Sequence, residues 1–257
     1  MELIRANKAL GQNFLIDMNI RKKIIAAMEI EAGDYILEIG PGTGSLTELL
    51  LDFDINLKVI EIDERAVLEL EKLKSKGNFE IIQADVLKIN LDNLFDGQKK
   101  IKLIGNLPYN ISSQIIFKLF DNYQMFDLAL IMLQKEMAKR LVAKKSTKDY
   151  GILTVNTELF SQTAILFDVS PNCFLPRPKV TSCISRLKLL DSNQFSKSEL
   201  KEIQTLIKVA FNQRRKMLSN SLKSLISENN KAFEKFTNLR AENLSLEDFI
   251  EIYQGNK

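Results

Sequence analysis

The sequence predicts an α/β fold: a doubly wound, mostly parallel sheet followed by a small all-helical C-terminal domain. Three observations predict it. Short apolar runs alternate with stretches of helical periodicity through the first 160 residues. Two strand-like runs then flank a proline-punctuated loop, and beyond residue 190 only helical periodicity remains. A chain of 257 residues is long enough to bury a sizeable core in one larger domain and carry an appendage.

Taken in order, residues 19–28 form a helix leading into the first strand. Residues 35–39, 57–62, 80–83, 101–104 and 128–133 have strand length and little polar alternation, as strands covered on both faces do. Between them, residues 45–52, 64–73 and 113–121 show the three-to-four spacing of helices. Residues 152–160 continue as a helix. The strand-like runs 164–169 and 180–189 are joined by a short loop, 170–179, and are expected to pair antiparallel. The polar stretch 191–198 is a linker, so the domain boundary falls near residue 190, with the chemistry in 1–190 and a helical domain in 191–257. Helices are expected at 199–211, 216–227, 231–236 and 245–253. No internal repeat or low-complexity tract is present.

Composition narrows the chemistry. The chain has no histidine, which excludes Ser-His and Cys-His mechanisms and the commonest zinc ligand. Its two cysteines, Cys173 and Cys183, cannot form a structural zinc site alone, and no metal is expected. No apolar run of about 18 residues occurs, so no membrane span is expected. The polar, basic start of the chain lacks the apolar stretch of a secretory signal. A lone disulfide is possible, but a cytoplasmic location with free thiols is the expectation.

Net charge is only +3, yet it is unevenly placed. Residues 5–23 carry five Lys/Arg against one acid, residues 135–150 six against two, and residues 197–223 seven against two. Charge segregated this way suits a polyanion, and equally three solvated helix faces.

The most informative segment follows the first strand: Glu38-Ile39-Gly40-Pro41-Gly42-Thr43-Gly44. Closely spaced glycines let backbone approach a ligand where side chains would collide. A dinucleotide fingerprint, G-x-G-x-x-G, fails here because Ser45 occupies its last position. An acidic strand end followed by G-x-G-x-G instead resembles the loop of S-adenosylmethionine methyltransferases. Gly40 and Gly42 are therefore cofactor-binding candidates. Glu61 ends the second strand, where a carboxylate can accept ribose hydroxyl hydrogens, and Asp85 follows the third, placed to accept from an adenine amine. Each acid alone could be a solvated loop residue; three features at the carboxyl ends of successive strands are expected to share one crevice.

The fourth strand runs into Gly105-Asn106-Leu107-Pro108-Tyr109. The tetrapeptide Asn106–Tyr109 resembles that of methyltransferases acting on planar conjugated amines. An adenine amine is a poor nucleophile because its lone pair is delocalised into the ring. The Asn106 side-chain oxygen and the Leu107 carbonyl can accept its two hydrogens and favour a more tetrahedral nitrogen. Pro108 fixes the bend and Tyr109 offers a face for the base. Such a transfer works by positioning and electrostatics rather than a strong base, consistent with the missing histidine. Phe174, between closely spaced prolines in Cys173-Phe174-Leu175-Pro176-Arg177-Pro178-Lys179-Val180, is a second aromatic expected to sandwich a flipped base, or otherwise a core residue closing a hairpin.

Together these segments identify a resemblance that runs nearly end to end. The chain resembles the KsgA family of ribosomal RNA adenine dimethyltransferases in Lys8-Ala9-Leu10-Gly11-Gln12-Asn13-Phe14-Leu15, the glycine loop, Asn106-Leu107-Pro108-Tyr109-Asn110-Ile111-Ser112, Met132-Leu133-Gln134-Lys135-Glu136, Tyr150-Gly151, the Phe174 loop, and Phe211-Asn212-Gln213-Arg214-Arg215-Lys216. From the residues alone, 8–15 is only a basic loop. The resemblance implies that it caps the cofactor, with Gln12, Asn13 and Leu15 as contacts and Asn106 touching both cofactor and substrate. It further implies a Rossmann-like S-adenosylmethionine methyltransferase fold whose seven-stranded sheet ends in an antiparallel strand. It implies methylation of two adjacent adenines in the 3′-terminal hairpin of small-subunit ribosomal RNA, late in subunit assembly, by an enzyme needing no metal; a monomer is the separate expectation.

The related Erm enzymes act on large-subunit RNA. They usually have isoleucine where this chain has Leu107 and lack a close match to 211–216, which favours the small-subunit side. Ser113 and Met217 are mild departures from the family pattern. Arg214, Arg215 and Lys216 at a helix start, with Lys208 a turn or two earlier, are expected to grip RNA phosphates, the alternative being surface solubilisation. A non-catalytic RNA-binding assembly factor, and a methyltransferase of DNA adenine or protein glutamine, are the competing functions.

Overall fold

The computed structural model describes residues 5–7, 10–92, 94–97, 100–227 and 229–257; Lys8 and Ala9 of the first motif lie outside them. The chain forms two compact units, one of residues 1–138 and 163–191, the other of residues 139–162 and 192–257. The expected boundary near residue 190 is one of the crossings. Residues 139–162, expected with the sheet, belong with the C-terminal helices instead.

The strands are β1 (Phe14–Leu15), β2 (Tyr35–Ile39), β3 (Asn56–Glu61), β4 (Glu80–Gln83), β5 (Ile101–Asn106), β6 (Phe126–Gln134), β7 (Ser161–Val169), β8 (Phe174–Leu175) and β9 (Ser182–Leu189). Seven of them form one sheet in the order β4-β3-β2-β5-β6-β9-β7. From β4 to β6 all neighbours are parallel, while β9 runs antiparallel to β6. Its central strands are mostly apolar and bury side chains on both faces: Ile36, Leu37 and Ile39 of β2 and Leu103 and Ile104 of β5 are buried, as a sheet covered on both faces requires. Strand order reverses between β2 and β5, so their carboxyl ends open one crevice. Register fixes the neighbours there, pairing Ile39 with Gly105.

The helices of this unit are α1 (Met18–Ala26), α2 (Thr47–Leu50), α3 (Glu64–Leu73) and α4 (Ser112–Asp121), with α5 (Lys135–Leu141) running into the second unit. Asp17 caps α1, accepting from the Ile20 amide at 3.0 Å. Asp63 caps α3, whose Ala66, Leu70 and Leu73 line up at helical spacing and are buried. The expected helix over 45–52 shortens to α2, flanked by turns. Cys173 and Cys183 are buried, free thiols.

A small antiparallel ladder went unpredicted: β1 pairs with β8, Phe14 opposite Leu175 and Leu15 opposite Phe174. Each strand has two residues and its partner lies some 160 positions away, so no local periodicity marks it.

The second unit contains α6 (Ile152–Phe160), α7 (Lys197–Asn212), α8 (Leu218–Ser221) and α9 (Leu246–Gly255). Reciprocal side-chain–backbone bonds close the first turns of α7, between Ser196 and Glu199, and α9, between Ser245 and Asp248. Leu200, Ile203, Leu206, Ile207 and Ala210 form the buried stripe of α7. The helix expected over 216–227 is cut to α8. The stretch carries Ser219, Asn220, Ser221 and Ser224, residues of modest helix propensity, and after α8 the chain continues as turns. Among the described residues no helix is long and apolar enough to cross a membrane, and no group of three or more His, Cys, Asp or Glu is placed to hold a metal ion.

Candidate active site

One cavity opens at the switch point between β2 and β5. Its lining includes Gly40 and Gly42 from the turn after β2, Glu61 from β3, Asp85 after β4, and Asn106 to Tyr109 at the end of β5. Residues predicted from four separate segments thus converge because parallel strands place their carboxyl ends on one edge.

The glycine turn depends on conformation as well as size. Gly40 and Gly42 have φ of 65° and 57°, the left-handed region that a side chain disfavours. A Cβ on Gly42 would also stand 3.0 Å from Phe14 Cε1. Gly105 serves close packing instead: a Cβ there would meet the Ile39 carbonyl oxygen at 2.8 Å, so only glycine lets β5 lie against β2 at the crevice.

Glu61 is buried and holds the turn together. Its Oε2 accepts from the Gly42 amide at 3.0 Å, while Oε1 accepts from the Ile62 and Asp63 amides at 2.9 Å each. Burial pushes its carboxyl above the usual range, opposed by those three bonds. Three of about four lone-pair positions are occupied, so Oε2 is the oxygen with capacity to spare. Asp85 Oδ1 accepts from the Leu87 amide at 2.9 Å.

Glu38, in the motif but not singled out as a site residue, also lines the cavity. It is 1% exposed and accepts from Thr47 Oγ1 at 2.6 Å through Oε2. Burial raises its pKa to about 7, with the nearby Glu61 adding to the shift and the Thr47 bond opposing it.

Asn106 lies at the mouth of β5 with its amide oriented: Nδ2 donates to the Asn13 carbonyl at 2.9 Å. Leu107 is buried beneath it. The Tyr109 hydroxyl is bonded to Ser182 Oγ at 2.7 Å, which holds the ring at the cavity wall.

The segment from Leu10 to Leu15 forms another wall of the cavity. Asn13 is held by Nδ2 to the Gly11 carbonyl at 3.1 Å and presents its own carbonyl to Asn106. The Gln12 side chain is engaged at both ends of its amide, donating to Asp63 Oδ2 at 2.7 Å and accepting from the Asn7 amide at 2.8 Å. Asp63 and Arg65, which hold this segment, escaped sequence reading. The signal is Glu61-Ile62-Asp63, the last residue of β3 and the two that follow, which carries a second acid at the start of α3.

Phe174 departs from expectation. It is 1% exposed, sits in the hydrophobic core with Leu15 and Ile24, and is absent from the cavity lining. Phe14 and Tyr109 are aromatic residues of the lining, and the sandwiching role of Phe174 is corrected to packing.

The predicted basic residues lie in the helical unit and differ from one another. Lys208, Arg215 and Lys216 are exposed. Arg214 is engaged: Nε donates to Glu242 Oε2 at 2.7 Å, Nη1 to the Lys148 carbonyl at 3.0 Å and Nη2 to the Thr147 carbonyl at 3.1 Å. It is a staple of its own unit, because a guanidinium's five donors saturate readily on a carboxylate and two carbonyls. All three residues after Gln213 lie in turns between α7 and α8, not at a helix start.

The sequence profile of the ribosomal RNA adenine dimethylase family matches residues 4–255. A protein of Flavobacterium johnsoniae named ribosomal RNA small subunit methyltransferase A is 42% identical over 99% of this chain and 97% of its own length. A Clostridium acetobutylicum protein of the same name is 39% identical over 95% and 91%. Among solved structures, a dimethyladenosine transferase from Plasmodium falciparum superposes with a TM-score of 0.80 at 30% identity, covering 93% of this chain and 95% of that one. The 23S rRNA methyltransferase ErmE gives 0.72 at 25%, covering 95% and 99%. The fold is that of Rossmann-like S-adenosylmethionine-dependent methyltransferases, and the chain belongs to the ribosomal RNA adenine dimethylase family.

Proposed function

We propose that this protein dimethylates the exocyclic amines of two adjacent adenines in the 3′-terminal hairpin of small-subunit ribosomal RNA, acting in the cytoplasm as a monomer during subunit assembly. The observation that carries the reading is the shared cavity of the glycine turn and an Asn106 whose amide is already oriented. The name borne by its curated relatives supports the small subunit over the large.

The residues present fit the cofactor. The left-handed glycine turn leaves backbone open to the cavity, Glu61 Oε2 has capacity for a ribose hydroxyl, and Asp85 Oδ2, 3.6 Å from the exposed Lys88 ammonium, can accept from an adenine amine. S-adenosylmethionine, when bound, supplies a methyl carbon made electrophilic by its sulfonium. Two buried acids, Glu38 and Glu61, line the same cavity and would favour a cationic group bound there to the extent that they are ionised.

With Nδ2 committed to Asn13, Asn106 turns Oδ1 to accept one hydrogen of the substrate amine, and the Leu107 carbonyl accepts the other. Both bonds draw the nitrogen toward tetrahedral geometry, restore its lone pair and aim it. Tyr109, anchored through Ser182, offers its ring to the base. Lys208, Arg215 and Lys216 are the cations available to RNA phosphates.

Incubation with labelled cofactor and unmodified small subunits should yield dimethyladenine; its absence would count against the function. Asn106→Ala should abolish transfer while cofactor binding largely survives, and turnover near wild type would contradict the orienting role.

A further inference from the structure

We propose that Gln12, clasped by Asp63 and Arg65, is a positioning residue for the transfer, because it holds the carbonyl that orients Asn106. The inference rests on the amine-orienting role given to Asn106 above.

The geometry is a strap pinned at both ends. At one end Asp63, 7% exposed, accepts from Gln12 Nε2 at 2.7 Å. Arg65 grips the same carboxylate with two bonds, Nε to Oδ1 at 2.9 Å and Nη2 to Oδ2 at 2.6 Å, and reaches the Arg5 carbonyl with Nη1 at 3.0 Å. Gln12 Oε1 meanwhile accepts from the Asn7 amide at 2.8 Å, so one side chain gathers the chain on both sides of it. At the other end Arg21 donates twice to the Leu15 carbonyl, at 3.0 and 2.6 Å, and the Ile16 amide donates to the Cys173 carbonyl at 2.8 Å. Asn13 lies between these pins and meets Asn106 Nδ2 at 2.9 Å.

This arrangement decides which way the Asn106 amide faces. Its two ends are nearly equal in shape and opposite in hydrogen bonding. With the Asn13 carbonyl in place, the flipped amide would set oxygen against oxygen, so Oδ1 is directed to the substrate. If the strap slackens, that preference weakens and Oδ1 is no longer held for the amine. The clasp also adjoins the ribose-facing acid, since the Asp63 amide donates to Glu61 Oε1 at 2.9 Å. The strap's fastening and the cofactor acid therefore share one backbone turn.

The test is Gln12→Met, which keeps the side chain's length but neither donates to Asp63 nor accepts from Asn7. In the cofactor-free protein, amides of residues 10–15 should exchange with deuterium about tenfold faster than in wild type, while amides of the central strands keep wild-type rates. At saturating S-adenosylmethionine with unmodified small subunits, turnover should fall about tenfold. Gln12→Lys, whose ammonium can donate to Asp63, should recover most of both losses. Wild-type exchange and turnover in Gln12→Met, or no improvement in Gln12→Lys, would overturn the clasp. Asn106→Ala is measured alongside. If Asn106→Ala keeps wild-type turnover, the orienting role itself fails; if it is inactive while Gln12→Met behaves as wild type, the clasp alone is removed.

Discussion

Two neighbouring arginines, alike in sequence, should respond oppositely to alanine. Arg214 donates one charge-assisted bond to Glu242 and two bonds to backbone carbonyls of Thr147 and Lys148. The Arg214 and Glu242 side chains are 37% and 31% exposed, so solvent screening limits their pair to about 1 kcal/mol. Each carbonyl bond contributes about 1 kcal/mol more. Arg214→Ala should therefore cost about 3 kcal/mol, lowering the melting temperature of a chain this size by roughly 6–12 °C. Arg215 is exposed and shares none of these bonds. Arg215→Ala should leave melting within about 1 °C while weakening RNA binding and reducing its salt slope by about one. Differential scanning fluorimetry and salt-titrated binding to small-subunit RNA measure the two effects separately. A wild-type melt for Arg214→Ala, together with an RNA defect equal to that of Arg215→Ala, would refute the division into staple and phosphate ligand.

Three further outcomes are expected. Glu38 is buried with its pKa raised to about 7, so the folded state binds a proton that the unfolded chain releases near 4.5, and its contribution to stability falls as pH rises through that window. Glu38→Gln keeps an acceptor for Thr47 and should flatten the pH dependence of melting between 5 and 7, with a gain on the order of 3 kcal/mol at pH 8; an unchanged pH profile would show that Glu38 titrates normally. Gly42→Ala combines about 1–2 kcal/mol of left-handed strain with a 3.0 Å approach to Phe14, and calorimetry should find cofactor affinity reduced at least tenfold, whereas wild-type affinity would mean the turn is not the binding surface. Tyr150→Phe removes the donor to the Leu244 carbonyl, a buried 2.7 Å bond, and should destabilise the protein by about 1–3 kcal/mol in urea unfolding, with a loss under about 0.5 kcal/mol arguing that water replaces it.

Much of the sheet and the cofactor crevice was legible because their signals are local. Apolar runs mark β2, β3, β5 and β6 within a residue or two, and glycines and acids at strand ends need only the parallel rule to be brought together. What stayed hidden was non-local. The β1–β8 ladder joins segments with no pattern of their own, and Phe174, opposite Leu15 in it, is buried in the core. Segment 139–162 looked continuous with the sheet domain but belongs to the helical unit. The helix expected after Lys216 is only four residues long; residues 219–224 carry three serines and an asparagine, whose modest helix propensity apolar spacing does not register.

Sequence alone determined the chemistry on offer: no imidazole, a glycine turn, carboxylates after successive strands, and an Asn-Leu-Pro-Tyr exit. Those follow from residue type and spacing, which are written along the chain. Only the tertiary structure decided how each polar group is committed. Arg214 and Arg215 have the same side chain, and Asn106 has two amide faces. Which donor remains free, and which face is turned to the substrate, depends on partners dozens of residues away, and a hydrogen bond depends on distance in space.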